Sequence, residues 1–386
     1  MHSFYLRASE VYCEDGILAD TCIRVTDGKI TGIGELPGTN DPVVDMTGAR
    51  VIPGLIDLHI HGSAGADVMD ATYDALNTIS KHIAGNGVTG FLGTTVTSTW
   101  EATLAALSNV HSTMDKGVEG ARLLGSYSEG LFFSERFKGA HAAEYFLKPT
   151  RERVDAMIAA GGGTLKSLAI APEVDGALAI IRYLAGQGVN VMVGHTGATY
   201  QQTVAAFEAG AVGGVHIFNQ MLGLHHRQPG TAGAILHHKD ILAELIADGI
   251  HVDPVMMSMV HRLKGADKTA LITDCMCAGG LSDGDYQLGQ LMVTVKEGVA
   301  RTDSGALAGS TLALNKGVSN MVELAGVPPL DAVHMASLTP ATLLGIEQEV
   351  GSIKIGKRAN LAVIGSDNSV LKTFVDGREV FSRPDV

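Results

Sequence analysis

The 386-residue sequence predicts an α/β protein: a (β/α)8 barrel of the TIM type with a small β-sandwich domain formed by the N- and C-terminal segments. Three observations predict it. Eight apolar runs alternate with amphipathic stretches through the middle of the chain, the pattern of parallel strands joined by helical crossovers. Most of these runs end in His, Glu or Asp, and in such barrels the active site lies at the C-terminal ends of the strands. The two chain ends read as short strands and turns with no helical period.

Residues 1–52 carry the strand-like stretches FYLRASEVY, DTCIRVTD and KITGIG, with Asp27-Gly28 as a hairpin turn. Residues 351–386 match them with RANLAVIG and VLKTFVDGREVF, turning at Asp376-Gly377. The two segments are expected to meet in one β domain, interrupted by a barrel over residues 53–350. The barrel runs are VIPGLIDLHIHG, GVTGFLGTTVTS, RLLGSYSEG, LKSLAIAPE, VNVMVGHTG, GGVHIFNQM, ELIADGIHV and TALITDCM. Stretches such as YDALNTISKHIAG, RERVDAMIAAG and YQQTVAAFEAG lie between them and end in Gly, as helices do. A doubly wound open sheet is the alternative, but its first strand normally leads into a Gly-rich phosphate-binding turn. Here the first run ends in His-Ile-His-Gly.

His59 and His61 share one face of a strand, because side chains alternate with period two. Two imidazoles so placed form half of a divalent-metal site. Glu129, His195 and His216 add one carboxylate and two imidazoles, a three-ligand set that leaves a position for water, as catalytic zinc has. His59 and His61 could complete a second position, with Glu129 or a hydroxide bridging. Asp274 in LITDCM reads either as a helix N-cap or as a general base. The histidines at the same rim favour the base. His141, in KGAH, is placed to donate a hydrogen bond to a carbonyl oxygen. FNQMLGLHHRQPG puts Asn219 and Arg227 on the loop after strand six, and a loop Arg there is either solvated or a phosphate ligand. Lys166 opens its strand, the wrong end for a metal-bridging carbamylated lysine. Cys275 and Cys277 read as small buried side chains, since a structural zinc needs two further ligands.

Composition sets outer limits. With 46% apolar and 18% charged residues the chain has a large core. A net charge of −13 argues against general nucleic-acid or anionic-membrane binding. Four cysteines are too few for a disulfide scaffold. The N-terminus MHSFYLRASE lacks a signal-peptide pattern, and no apolar run reaches the roughly 18 residues of a membrane span. A cytoplasmic enzyme is expected.

The motifs PGLIDLHIHG, SEG, KGAH, VGHTGA, VHIFNQM, LHHRQPG, LIADGIHV, LITD and LAGST occur in this order. The chain thereby resembles, over nearly its full length, the N-acetylhexosamine-6-phosphate deacetylases of the amidohydrolase superfamily. The resemblance implies metal-dependent removal of acetate from N-acetylglucosamine 6-phosphate, or from its galacto epimer, in amino-sugar catabolism. It implies that Glu129, His195 and His216 bind the tighter metal, with His59 and His61 able to hold a second. The metal is expected to be zinc, with iron, manganese or cobalt as alternatives. It makes Asp274 the acid/base and His141 the carbonyl-polarising group. Asn219, His251 and the backbone at Gln220 become sugar-phosphate contacts, and Leu307 closes over the sugar. It implies a homodimer, or a dimer of dimers, in which Arg227 serves the neighbouring subunit's site. Four departures stand out: FNQM for FNAM, SEGLFF for EGP, CMCAGG for an alanine-rich run, and RQPG for REPG. None removes a catalytic group. A cyclic-amide hydrolase and a silent sugar-phosphate sensor are the remote alternatives.

Overall fold

A strand buried on both faces is written as a continuous apolar run, and the eight runs form eight parallel strands in sequence order. The computed structural model describes residues 3–38 and 42–384, so residues 1–2, 39–41 and 385–386 of the expected two-segment β domain lie outside the described residues. The barrel strands are β1 (Leu55–Ile60), β2 (Val88–Thr95), β3 (Arg122–Ser128), β4 (Leu165–Ile170), β5 (Asn190–Val193), β6 (Ala211–Gly214), β7 (Leu242–Ile246) and β8 (Thr269–Ile272). Neighbours pair in parallel along the series. The seam closes just beyond β1 and β8, where Asp274 N donates to His59 O (2.9 Å) and His61 N donates to Cys275 O (2.8 Å).

One helix follows each strand: α1 (Tyr73–Ala84), α2 (Trp100–Lys116), α3 (Arg151–Ala160), α4 (Ala177–Gly186), α5 (Tyr200–Glu208), α6 (Gly230–His237), α7 (Pro254–Lys264) and α8 (Leu314–Glu323). Thr72, Thr150 and Thr199 cap α1, α3 and α5, each hydroxyl accepting from the third helical amide. Gly85 and Gly161 follow α1 and α3 as expected, but keep right-handed φ of −62° and −73°. They are not left-handed caps; the positive φ comes later, at Gly87 and Gly162.

Core residues divide by face. Leu58, Leu92, Tyr127, Met192, Leu242, Ile246 and Ile272 fill the lumen. Leu55, Phe91, Leu123, Leu168, Val191, Leu245 and Leu271 pack in a separate cluster with helix residues such as Leu76, Val110 and Ile181.

The chain ends build one seven-stranded sheet, in the order Arg378–Ser382, Val370–Val375, Leu361–Ile364, Val43–Pro53, Ser3–Cys13, Gly16–Thr26, Lys29–Ile33. Its core gathers Phe4, Leu6, Ile23, Ile30, Val51, Val363 and Phe374 from both ends of that order, so the sheet curls over itself. Asp27-Gly28 and Asp376-Gly377 turn with positive φ at every position, as two-residue hairpins require. Val43–Pro53 runs directly into β1, with Gly54 between them; a Cβ on Gly54 would lie 2.3 Å from Thr89 Oγ1.

The two terminal segments are also joined by charge. Glu14 accepts from Ser352 Oγ (2.6 Å), Lys354 Nζ (2.6 Å) and Lys357 Nζ (3.1 Å). Burial opposes its ionisation, but these donors prevail and bring the carboxyl down from 4.5 to about 2. A depressed carboxyl stabilises the fold above its unfolded pKa, and that contribution disappears as pH falls through the folded value. Glu14→Gln is therefore expected to cost about 2 kcal/mol at neutral pH, because it leaves the buried Lys357 without its counter-charge. In urea unfolding, the gap between wild type and variant closes between pH 4.5 and 2. A gap independent of pH contradicts the assignment.

Candidate active site

Strand parity alone sends His59 and His61 the wrong way. Ile56 and Leu58 face the lumen, so His59 and His61 on an unbroken strand would face the helices. The register with β2 slips between Asp57 and Ile60. An irregularity of this kind re-aims side chains, and Ile60 joins the outer cluster while His59 turns inward, its ring 4.9 Å from that of Tyr127. The fully buried Asp57 holds this segment: it accepts from His59 N (3.3 Å) and Thr273 Oγ1 (2.6 Å).

The remaining groups sit one or two residues past the ends of their strands. His195 (φ +47°), His216 (φ +25°) and Asp274 (φ +50°) all adopt left-handed backbone, which costs of order 1–3 kcal/mol at a non-glycine residue and persists only where neighbours enforce it. Ser134 N, Asn219 N and Ser310 N donate to the carbonyls of these three residues at 3.0, 3.0 and 2.7 Å. Glu173 braces the turn after His195, accepting from Thr196 Oγ1 and from Gly197 N (2.6 Å). Gly130 (φ +118°) carries the chain past the β2 loop, where a Cβ would lie 2.7 Å from Thr97 N.

These elements converge on Glu129. Its Oε1 lies 3.1 Å from His216 Nε2, 3.3 Å from His195 Nε2 and 3.6 Å from His59 Nε2. Its Oε2 lies 3.3 Å from His61 Nε2 and 3.5 Å from His141 Nε2. Asp274 Oδ1 is 3.1 Å from His61 Nε2 and 3.5 Å from His59 Nε2. All are buried. Burial opposes the charge on Glu129, but His59, His141, His195 and His216 hold it well below the usual range. Asp274 falls to about 2 in the same way, drawn down by His61 and His59. Burial disfavours protonated His61, yet Asp274 and Glu129 raise it to about 9. His195 goes the other way, to about 4, through burial and the neighbouring His141.

The donor set suits a metal. His61 Nδ1 faces Thr94 O (3.2 Å) and His195 Nδ1 faces Phe137 O (2.9 Å). Carbonyls only accept, so both rings carry hydrogen on Nδ1 and, when neutral, turn a lone pair inward. The Nε2 atoms of His59 and His61 are 3.4 Å apart, and those of His195 and His216 are 3.2 Å apart. Lone pairs facing at such distances call for a cation. Among the described residues two groups can hold one: His59, His61 and Asp274, and Glu129, His141 and His195, the ligand atoms of each lying within 4.8 Å of one another. His216 stands beside the second group. His141 thus has metal-binding reach as well as the carbonyl role expected of it.

The expected substrate contacts surround the same cleft. His61, His141, Asn219, Gln220, His251, Asp274 and Leu307 line it. Thr97 Oγ1 meets His141 Nδ1 at 2.7 Å, and Asp248 Oδ2 meets His251 Nδ1 at 2.6 Å. Gln220, at φ +49°, packs against Gly139 of the KGAH loop, where a Cβ would lie 2.8 Å from its Cγ. Arg227 is not brought in: it is exposed, with Nη1 2.7 Å from His226 Nε2. The cleft has about 50 Å³ of room, against roughly 300 Å³ or more in small-molecule sites. A neighbouring cavity of about 580 Å³ shares its His251 and Gly309 walls.

Sequence reasoning missed Asp57, Thr97, Glu173 and Glu244, all of which hold site residues from behind. It also missed a hairpin sheet at Gly284–Leu288, Leu291–Lys296 and Val299–Thr302, which adds Leu288 to the cleft wall. The alternation in LMVTVK and the Glu297-Gly298 turn were its signal. Cys275 and Cys277 are buried free thiols and belong to neither candidate metal group.

Residues 50–380 match the model of the amidohydrolase family. The N-acetylglucosamine-6-phosphate deacetylase of Vibrio furnissii is 45% identical over 382 residues, which is 98% of this chain and 96% of that one. The N-acetylgalactosamine-6-phosphate deacetylase of Escherichia coli O157:H7 is also 45% identical, over 97% of this chain and 98% of its own. Among solved structures, a variant N-acetyl-D-glucosamine-6-phosphate deacetylase from Mycobacterium smegmatis, in complex with N-acetyl-D-glucosamine-6-phosphate, superposes with a TM-score of 0.94 at 32% identity, covering 99% of this chain and all of that one. The chain belongs to the amidohydrolase family, on the branch that holds these sugar-phosphate deacetylases.

Proposed function

We propose that this protein hydrolyses the acetamide of N-acetyl-D-glucosamine 6-phosphate, giving acetate and D-glucosamine 6-phosphate in amino-sugar catabolism. The observation that carries this reading is the convergence of five imidazoles on the buried Glu129, two of them also meeting Asp274, in a chain 45% identical to a deacetylase of that name. The galacto epimer is the second reading, favoured by an equally similar relative that carries that substrate in its name.

Glu129, His195 and His216 would hold one divalent ion, and His59 and His61 with Asp274 nearby a second; zinc is our choice. A bound divalent ion acidifies water and polarises a carbonyl oxygen. Asp274, kept ionised at neutral pH by its histidine neighbours, accepts the proton of the attacking water. The same carboxyl then returns that proton to the departing nitrogen. His141, anchored through Nδ1 by Thr97, turns Nε2 toward the cleft and donates to the carbonyl oxygen as charge builds on it. Asn219, Gln220 and His251 grip the sugar phosphate, so that binding remote from the amide orients it. Leu307 closes over the sugar. The exposed Arg227 suits a phosphate in the partner's cleft, and we take the protein to be a homodimer. Residues 1–52 with 351–386 form the supporting β domain and 53–350 the catalytic barrel. Among the described residues no helix is long and apolar enough to cross a membrane, and we place the enzyme in the cytoplasm.

Asp274→Asn is expected to retain the ion at Glu129, His195 and His216 and the substrate but lose roughly 10²–10⁴-fold in turnover, the usual worth of a general acid/base. Steady-state kinetics beside a metal assay check this, and near-normal turnover removes Asp274 from the mechanism. Arg227→Ala is expected to raise KM for the phosphorylated sugar about tenfold, the loss of one charge-assisted contact, while sparing the unphosphorylated acetamide. Equal losses on both substrates argue against a phosphate role.

A further inference from the structure

One buried ionisable group has no part in the chemistry above. Glu244 sits on β7 between Leu242 and Ile246, both lumen residues, and is 0% exposed. Its Oε2 lies 3.3 Å from His59 Nδ1. Among the described residues the equally buried Tyr127 hydroxyl is the one further polar group that acts on this carboxylate, and no lysine or arginine is paired with it. A carboxylate sealed in a barrel lumen is costly, and an apolar residue of similar volume is often at least as stable. Stability therefore does not account for Glu244.

Its place does. His61 and His195 turn Nδ1 to backbone carbonyls. His59 follows the bulge in β1, and its Nδ1 instead meets a carboxylate from β7, two strands away across the seam. A ligating histidine is oriented, and made a better donor, by the acceptor behind its other nitrogen, most strongly when that acceptor is a carboxylate. We propose that Glu244 is a positioning residue: it holds the Nδ1–H of His59 so that the Nε2 lone pair faces a divalent cation bound with His61 and Asp274. Glu244 itself touches neither cation nor substrate. It makes the His59–His61–Asp274 group a metal site in its own right, beside the one built on Glu129. The inference rests on the reading that these groups hold divalent ions.

Zinc titration of the metal-stripped protein, followed by calorimetry and elemental analysis, tests it in wild type, Glu244→Leu and Glu244→Gln. Wild type is expected to take two equivalents. Glu244→Leu should weaken one of them about 10–100-fold, the usual cost of losing such a partner, and leave the other unchanged. Glu244→Gln should largely restore it, because the amide oxygen accepts the same Nδ1–H. Two unchanged equivalents in Glu244→Leu overturn the proposal, as does a Gln variant no better than Leu. Should the Leu variant fail to fold, ¹⁵N NMR of zinc-loaded wild type decides. The His59 ring, identified by its loss in His59→Asn, must show a protonated Nδ1 and a metal-bound Nε2; the reverse pattern overturns the proposal. A wild type that releases acetate with a single zinc equivalent refutes the role of Glu244 and leaves the deacetylase reading intact. Two equivalents, one of them lost in Glu244→Leu, with no acetate from either sugar do the opposite.

Discussion

Five histidine nitrogens crowd around one carboxylate. Glu129 is 2% exposed, and His59, His61, His141, His195 and His216 all bring Nε2 within 3.1–3.6 Å of it. Without a cation the arrangement balances only by holding protons, which is why His61 rises to about 9 while Glu129 and Asp274 fall. A divalent ion held by these residues would supply that positive charge in place of the protons, so metal binding and proton release would be coupled. The same neighbours that would hold the ion keep Asp274 ionised, and an ionised carboxylate beside the reacting water is what amide hydrolysis requires of a base.

The rest of the molecule serves this convergence. Eight strand ends form a ring on which side chains from distant parts of the chain meet. The seam at Asp274 and His59 fixes the first and last of them against each other, through a hydrogen bond between their own backbones. His195, His216 and Asp274 occupy left-handed backbone, restrained by a donor from a neighbouring loop at His195 and Asp274 and from the same turn at His216. A second tier of polar residues restrains the rings: Thr97 behind His141, Asp248 behind His251, Glu244 behind His59. The cost of burying these groups is borne by a lumen that is otherwise apolar.

Much of this was legible in the sequence. The barrel strands were readable because a strand buried on both faces must be apolar throughout, and LKSLAIAPE and VNVMVGHTG leave little else to consider. The histidines were readable because barrel chemistry occurs at strand ends, which turns position in the run into position in space. The supporting tier was not. Glu244 opens the run ELIAD, where a glutamate looks like a solvated strand start; its inward direction follows from barrel parity, a property of the closed sheet. The shared face of His59 and His61 follows from strand alternation, but its inward direction comes from the irregularity after Asp57. The hairpin sheet at 284–302 escaped notice because it interrupts the strand–helix alternation between β8 and α8.

The proposed activity is hydrolysis of the acetamide of an N-acetylhexosamine 6-phosphate by residues that would hold a divalent ion around Glu129. Acetate release from N-acetylglucosamine 6-phosphate and N-acetylgalactosamine 6-phosphate, measured side by side on metal-stripped and zinc-reconstituted protein, tests it most directly. The account predicts release that returns only with metal and favours the gluco sugar. A preference for the galacto sugar would change the substrate and keep the chemistry. No acetate from either sugar after reconstitution would contradict the account.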